Sequence, residues 1–257
     1  MLEICIDLFG ESHSETARCY NNLGTINKYQ GKYEEAIKLH EKSLQILGNV
    51  PGENDLDIAR NYNNLAVVYE CVGAYIKAKE LYEKSLQIRK VVLGENDPDT
   101  AIVYNNLGSI YRCQGEFEKA IELCDKGLQI MINVLGENHV NTAMGYNNLA
   151  GMYLYLENYI KAEELYKKSL HICKNKLGEN HTNTAMSYNN LAELFNAQED
   201  YAKALTYYFK AYKRLFYKLG AEHSDTQSIY LKMFIAYILE FGSKMDFEQW
   251  LEEKMKE

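Results

Sequence analysis

The tetrapeptide Tyr-Asn-Asn-Leu occurs five times in this sequence, and each copy starts 42 residues after the previous one. The copies begin at Tyr20, Tyr62, Tyr104, Tyr146 and Tyr188. Glycines that open short polar segments follow the same period, at Gly10, Gly52, Gly94, Gly136, Gly178 and Gly220. A fixed period of this length is typical of a protein built from stacked repeats. The sequence therefore predicts a solenoid, in which each repeat packs mainly against its neighbours.

Apolar and small residues within each repeat recur three or four positions apart, which predicts two helices per repeat. In the first repeat, Ala17, Tyr20, Leu23 and Gly24 mark one face of the first helix. The second helix begins at an aromatic residue such as Tyr33 and carries a small residue that lets two helices approach closely. This small residue is Ala36, Ala78, Ala120, Ala162 or Ala204.

Polar and glycine residues predict where the helices begin and end. The fourth residue of each polar segment is predicted to cap the next helix; these residues are His13, Asp55, Asp97, His139, His181 and His223. Gly31, Gly73 and Gly115 predict the end of the first helix in three repeats. Glu157 and Glu199 occupy this slot in the last two repeats, so these two turns are predicted to have a different shape.

The periodic part covers residues 10–219, and its two flanks differ from it. Residues 1–9 are interpreted as the tail of a partial repeat, because Leu2 precedes Leu44 by one period. Residues 220–257 are predicted to form a degenerate sixth repeat and a capping helix. The stretch Met233–Phe241 is apolar all round, which predicts burial on every side. Asp246–Lys256 is expected to cover one side, and another subunit or a missing repeat the other.

Charge and composition argue against several classes of function. The net charge of −8 and the pI of about 5.4 argue against nucleic acid or an anionic membrane as the main partner. No apolar run approaches the ~20 residues of a membrane span, and the N-terminus lacks the basic region of a signal peptide. The six cysteines form no Cys-x-x-Cys pair. They are interpreted as reduced thiols of a cytoplasmic protein.

No catalytic residue, metal site or cofactor site is predicted. Four histidines share the loop slot and lie at least one period apart, too far for a common metal ion; they are His13, His139, His181 and His223. The sequence contains no glycine-rich phosphate loop and no Gly-x-Ser-x-Gly motif. We therefore expect a protein that is not an enzyme.

The slots of the repeat resemble those of the tetratricopeptide repeat. Its first helix is matched by Tyr62, Leu65-Ala66 and Tyr69, and its second helix by Ala78, Tyr82 and Ser85. The long period and the Leu-Gly-Glu-Asn loop make residues 12–219 similar to the kinesin light chain class of this family. The resemblance implies an all-α fold, a right-handed superhelical solenoid of helix-turn-helix repeats. It also implies that the first helices line the concave face.

Five slots on the first helices are implied to face this groove. We predict a peptide-binding groove that contains Arg18, Asn21, Lys28, Arg60, Asn63, Asn105, Arg112, Met144, Asn147, Tyr155, Met186 and Asn189. An asparagine amide complements a peptide unit. The first asparagine of each pair is therefore expected either to grip an extended backbone or to form a hydrogen-bond ladder between repeats. The second asparagine is expected to be structural.

The groove residues predict a protein or peptide ligand with two different ends. The N-terminal half carries arginine and lysine, which favours an acidic segment. The C-terminal half carries methionines, whose flexible side chains suit a bulky apolar anchor. Alternatively, the C-terminal segment of the chain itself fills the apolar half.

The sequence thus predicts a non-catalytic scaffold for protein–protein interaction. One alternative is self-association, for example a homodimer formed through the apolar C-terminal helices. Another alternative is the regulatory arm of a larger multidomain enzyme or signalling protein.

Overall fold

The computed structural model describes residues 2–49, 55–242 and 246–256. Within these ranges the chain forms thirteen α-helices and no strand, which confirms the predicted all-α fold. The helices belong to two compact units, Met1–Val134 and Leu135–Glu257. Gly52, one of the predicted loop glycines, lies outside the described residues.

The first seven helices comprise a short helix and three helix pairs. Their bounds are α1 Leu2–Phe9, α2 Ser14–Tyr29, α3 Tyr33–Asn49, α4 Asp55–Cys71, α5 Tyr75–Val92, α6 Pro98–Cys113 and α7 Phe117–Leu135. Each helix from α1 to α5 packs against the next one in sequence. Ala36, Ala78 and Ala120 are fully buried, as expected for residues at close helix contacts.

The second unit contains two complete helix pairs and a third, shorter pair. Its helices are α8 Val140–Tyr155, α9 Tyr159–Leu177, α10 Thr182–Ala197, α11 Tyr201–Leu219, α12 Ser224–Phe241 and α13 Phe247–Lys256. Consecutive helices from α8 to α12 pack against one another. A single cluster of buried residues extends from Ala150 in α8 to Leu251 in α13.

Most of the predicted helix caps are confirmed. His13, Asp97, His139, His181 and His223 precede their helices, and each side chain accepts a hydrogen bond from the backbone N–H two residues later. Such a bond satisfies one of the amide groups that an α-helix leaves unpaired at its start. Asp55 does not follow the prediction, because α4 already includes it.

The loop glutamates are tied to the tyrosines of the repeated tetrapeptide. The hydroxyl of Tyr104 donates to Glu95 (2.9 Å), that of Tyr146 to Glu137 (2.9 Å) and that of Tyr188 to Glu179 (2.7 Å). A threonine in the first turn of each of the same helices donates to the carbonyl oxygen of the loop glycine that lies six residues before it. These bonds explain why the polar loop and the tetrapeptide share one period.

The turns after the first helices have one shape in the five complete helix pairs α2–α3 to α10–α11, so the prediction for Glu157 and Glu199 is wrong. Both glutamates adopt a positive φ, 56° and 61°, as Gly31, Gly73 and Gly115 do. In every case the next backbone N–H bonds to the carbonyl five residues earlier, at 2.8–2.9 Å. The turn therefore forms without glycine, although a positive φ is unfavourable for residues with a Cβ.

The short helix α13 covers one side of α12, as predicted. Phe247 and Leu251 of α13 are buried. The ring of Phe247 packs edge-on against Phe234 and Tyr237 of α12, with centroids 5.1 Å apart in both pairs. The other side of α12 remains exposed in this chain, with Leu231, Ile235, Ile238 and Leu239 on its surface.

A disulfide bond joins Cys5 of α1 to Cys19 of α2. This corrects the interpretation that all six cysteines are reduced thiols. The remaining cysteines are free: Cys71 and Cys113 are exposed, whereas Cys124 and Cys173 are buried. The disulfide fastens α1, which contains no buried residue, to the first complete helix pair.

Candidate peptide-binding site

The paired asparagines form a hydrogen-bond ladder between repeats. In three of the repeats, the second asparagine donates from Nδ2 to Oδ1 of the first asparagine in the preceding repeat. The three rungs are Asn64 to Asn21 (3.2 Å), Asn106 to Asn63 (3.0 Å) and Asn190 to Asn147 (2.6 Å). The second asparagine thus has the structural contacts expected for it. The first asparagine accepts these bonds, and a hydrogen-bond ladder between repeats is one of the two roles expected for it.

The first asparagines differ in how far they reach the surface. Asn21, Asn105 and Asn189 are buried, whereas Asn63 and Asn147 are half-buried. Nδ2 of Asn189 donates to the Glu193 carboxylate at 3.1 Å. Among the twelve predicted residues, Asn63 and Asn147 are therefore the asparagines whose amides are best placed to meet a ligand.

A buried histidine that the sequence did not single out contacts Asn21. Nδ1 of His40 lies 3.0 Å from Oδ1 of Asn21 and 3.1 Å from Oδ1 of Asn61. Burial lowers the pKa of His40 to about 4, although the bond to Asn61 opposes this effect. The imidazole is therefore neutral at physiological pH. The other repeats hold a tyrosine or Cys124 in the slot of His40. This departure from the repeat pattern is the sequence feature that could have drawn attention to His40.

The arginines predicted to make one half of the groove basic are paired with carboxylates. Arg18 binds Glu15 (2.6 Å) and Asp57 (3.0 Å), and Arg60 binds the same Asp57. The hydrogen bond to Asp57 is the main reason why the pKa of Arg18 is raised. Two positive and two negative charges thus balance locally, while about half of each guanidinium side chain stays exposed.

Two further predicted basic residues lie at the ends of first helices. Nζ of Lys28 lies 3.9 Å from the ring centroid of Tyr29, which is a cation–π contact. Arg112 is half-buried in the last turn of α6. Neither residue is among those that share Asp57.

Three predicted residues of the second unit line one cleft. Met144 and Asn147 of α8 and Met186 of α10 border a cavity of about 160 Å³. Met144 is 56% exposed and Met186 is 41% exposed, so both thioether side chains are accessible from solvent. Tyr155 is exposed farther along α8 and does not line this cleft.

Side chains that the sequence did not predict complete the cleft. Ser169 and Cys173 of α9 and Ser187 of α10 line it together with three asparagines, Asn148, Asn183 and Asn190. Burial raises the pKa of the Cys173 thiol, although hydrogen bonds with Ser187 and Ser169 act in the opposite direction. The thiol therefore stays protonated and does not resemble an activated nucleophile. The cleft combines two flexible apolar side chains with several hydrogen-bonding groups.

The tetratricopeptide repeat model matches five overlapping stretches, residues 2–49, 15–90, 57–130, 99–174 and 141–215. The chain belongs to the tetratricopeptide repeat family. Tetratricopeptide repeat proteins bind protein or peptide partners and are typically non-catalytic. This membership supports a role as a protein-interaction scaffold.

Solved tetratricopeptide repeat structures share the fold at low sequence identity. BtubC (BKLC) from P. vanneervenii is 23% identical, with a TM-score of 0.66, over 82% of this chain and 83% of that chain. A putative kinesin light chain from Podosopora anserina is 21% identical, with a TM-score of 0.61, over 80% of this chain and 98% of the other. The apo form of RapI is 20% identical, with a TM-score of 0.67, over 93% and 81%. A comparison with curated proteins finds no match.

Within residues 2–49, 55–242 and 246–256, no three His, Cys, Asp or Glu side chains are grouped so that they could hold a metal ion. In the same ranges, every helix is too short or too polar to cross a membrane.

Proposed function

We propose that the second unit binds an extended peptide and that an apolar side chain of this peptide enters the cleft between Met144 and Met186. The cleft itself is the observation that carries the proposal, because it joins predicted residues from two successive repeats. Its volume of about 160 Å³ suits a single aliphatic side chain. Burying such a side chain contributes roughly 1.5–3 kcal/mol.

Asn147 is the residue best placed to bind the backbone of this peptide. Its Oδ1 accepts the hydrogen bond from Asn190, which fixes the orientation of the amide. The Nδ2 group of Asn147 takes no part in this bond, and none of the described residues accepts a hydrogen bond from it. A peptide carbonyl beside Met144 would complement these donors.

The acidic end of the proposed ligand has weaker support than its apolar anchor. Arg18 and Arg60 already share Asp57, so an incoming carboxylate must compete with an internal partner. Lys28 and Arg112 are the other basic residues of the prediction. We therefore propose that apolar contacts supply most of the affinity and that an acidic segment adds a smaller, salt-sensitive contribution.

Selection from a library of random 12-residue peptides tests the proposal. The wild-type protein is expected to enrich peptides with a bulky aliphatic or aromatic residue at one position. The variant Met144→Gln with Met186→Gln should bind the selected peptides at least about tenfold more weakly, because it replaces the apolar walls.

A matched control distinguishes the cleft from general surface hydrophobicity. Ile160 of α9 is 85% exposed and does not line the cleft. Ile160→Gln should leave peptide binding unchanged. Equal binding by the wild type and the double methionine variant would show that the peptide site lies elsewhere.

Self-association is a second candidate function, and the exposed side of α12 favours it. Leu231, Ile235, Ile238 and Leu239 are 42–58% exposed and lie within three turns of this helix. A second copy that covers them would bury apolar surface that is otherwise in water. Phe234 is a poor position for the test, because its ring packs on Phe247.

Sedimentation over a range of concentrations tests the self-association. The wild type is expected to form a dimer as its concentration rises, and Ile235→Asp with Leu239→Asp should shift it to the monomer. A wild-type monomer at the highest concentration reached would exclude this function.

We also propose a cytoplasmic location, since exposed thiols such as Cys71 and Cys113 persist in reducing compartments. The disulfide between Cys5 and Cys19 is the observation that opposes it. Fractionation of the source cells decides the question: recovery of the protein outside the cytoplasm would contradict the proposal.

A further inference from the structure

A second cleft in the second unit has an apolar floor and lies far along the chain from Met144. It occupies about 480 Å³ and is lined by side chains from α11, α12 and α13. Leu205 and Phe209 of α11, Phe241 of α12 and Trp250 of α13 form its floor. The rings of Phe209 and Trp250 meet edge-on, with centroids 6.1 Å apart. Pockets of about 300–1,000 Å³ with apolar lining are typical binding sites for small molecules.

The floor is specific to this end of the chain and is not a general property of the repeats. One period earlier, α9 carries Glu163 and Lys167 at the positions of Leu205 and Phe209. These two residues form a salt bridge of 2.6 Å on the surface. The change from a charged pair to an apolar pair accompanies the packing of α13, which supplies Trp250.

Among the described residues that line this cleft, the charged ones are lysines. Lys210, Lys213 and Lys254 line it, and none of its described lining residues carries a carboxylate. Nζ of Lys210 lies 5.3 Å from the ring centroid of Tyr207, and Nζ of Lys213 lies 5.7 Å from that of Phe209. The ammonium groups are thus held over the aromatic side chains of α11. In a chain of net charge −8, such a group of cations makes a locally positive rim.

We propose that this cleft binds a small amphipathic carboxylate, whose aliphatic or aromatic part rests on the floor while its carboxylate meets the lysine rim. The apolar part is expected to displace water from Phe209 and Trp250, which favours binding in proportion to the area buried. The carboxylate forms charge-assisted hydrogen bonds with Lys210 and Lys213. The same chemistry is presented by a free acid or by the hydrophobic C-terminus of a peptide.

The fluorescence of Trp250 reports occupancy directly, because Trp250 is the only tryptophan of the chain. Titration with decanoate, below the concentration at which it forms micelles, is expected to shift or enhance this emission with a saturable curve. Decanol and decylamine carry the same chain without the negative charge. Both should bind at least about tenfold more weakly than decanoate.

A peptide arm distinguishes the two sources of the carboxylate. N-acetyl-leucylleucine carries a free C-terminal carboxylate, whereas its amide does not. Saturation by decanoate alone assigns the cleft to free acids, and saturation by the dipeptide but not its amide assigns it to peptide C-termini. If neither probe gives a saturable change, the proposal is wrong.

Two sets of variants separate the rim from the floor. Lys210→Gln with Lys213→Gln should weaken decanoate binding about tenfold while leaving decanol unaffected. Lys168→Gln is the matched control, because Lys168 holds the slot of Lys210 one repeat earlier and does not line this cleft. Phe209→Ala should weaken both probes, and near-ultraviolet circular dichroism checks that α13 stays packed. Equal decanoate affinity in the wild type and the double lysine variant would overturn the proposed rim.

Discussion

The contact between the two helices of a repeat is made by different side chains in α2–α3 of the first unit and in α10–α11 of the second unit. In α2 and α3, Gly24 faces the imidazole of His40, and a Cβ on Gly24 would lie 2.8 Å from Nε2. In α10 and α11, Ala192 and Tyr208 stand at these two slots, and both are buried. The size of the residue on the first helix therefore depends on which side chain the second helix presents.

The same comparison shows a difference in polarity. Nε2 of His40 is buried and has no hydrogen-bond partner among the described residues. A buried polar atom without a partner costs free energy, and a buried charge costs more. A phenol ring in this slot stays neutral over the whole acidic range, whereas an imidazole gains a proton. We therefore expect acid to affect the two helix pairs differently.

The largest expected effect concerns His40 and pH. Its pKa of about 4 in the folded protein lies below the ordinary value of 6.5, so the unfolded chain binds more protons between these values. The stabilising effect of a neutral His40 is complete above about pH 6.5 and is lost as the pH falls toward 4. The loss amounts to about 3 kcal/mol in the free energy of unfolding, which urea unfolding at several pH values measures.

The control replaces His40 by tyrosine, which the second unit carries in the same slot as Tyr208. His40→Tyr removes the group that titrates, so the difference in unfolding free energy between pH 7 and pH 4.5 should be smaller than in the wild type. Other acidic groups contribute equally to both proteins and cancel in this comparison. An unchanged difference would mean that the imidazole is not kept neutral by burial.

The second-largest expected effect concerns the small residue on the first helix at its contact with the second helix. A Cβ on Gly108 of α6 would overlap the Cys124 sulfur and would lie 3.1 Å from the carbonyl oxygen of Ala120. Gly108→Ala should therefore lower the free energy of unfolding by about 2 kcal/mol, because the helices must move apart. Chemical denaturation measures the change.

Gly151 of α8 is the matched control for this substitution. The nearest atom to an added Cβ there is the Tyr166 hydroxyl at 3.6 Å, which is an ordinary contact. Gly151→Ala should be neutral or stabilise the protein by up to about 1 kcal/mol, since alanine favours helices. Adding Cys124→Ala to Gly108→Ala should restore part of the lost stability, and strict additivity of the two changes would contradict the proposed overlap.

A smaller effect is expected at the asparagine ladder. Asn106→Ala removes the rung to Asn63 (3.0 Å) and should cost about 1 kcal/mol of unfolding free energy. Asn22 occupies the same slot in the first repeat, where it is exposed, and no rung to it is found within the described residues. Asn22→Ala should change stability by less than about 0.5 kcal/mol. Equal effects at both positions would show that the rungs do not stabilise the fold.

The helices and loops were predictable because their signals lie within one repeat. The spacing of apolar residues, the caps such as His139 and the buried alanines such as Ala162 all follow from short-range geometry. The packing of α13 on α12 also follows from the sequence, since Phe247 and Leu251 offer apolar surface that can cover one side of α12.

Contacts between repeats were less predictable. His40 meets Asn61, which lies 21 residues later on the next repeat, and no local pattern shows which way that amide points. The methionines of the candidate cleft were identified from their slot, but Cys173 and Ser187 were missed. The slot of Cys173 holds larger residues such as Leu215 in the other repeats. The smaller side chain of Cys173 is the sequence feature that could have indicated a cleft at this position.

The smallest expected effect concerns the turn after α8, where the sequence pattern was misleading. Glu157 has a φ of 56°, whereas Gly115 has 79° in the equivalent turn of the first unit. Glu157→Gly relieves the unfavourable conformation of a residue with a Cβ, but glycine also makes the unfolded chain more flexible. The net gain is expected to be about 0.5 kcal/mol, measured as a higher urea midpoint at unchanged slope. Glu116 lies in the corresponding turn of the first unit without a positive φ, so Glu116→Gly should instead destabilise the protein. Stabilisation by both substitutions would mean that glycine acts through something other than the left-handed turn.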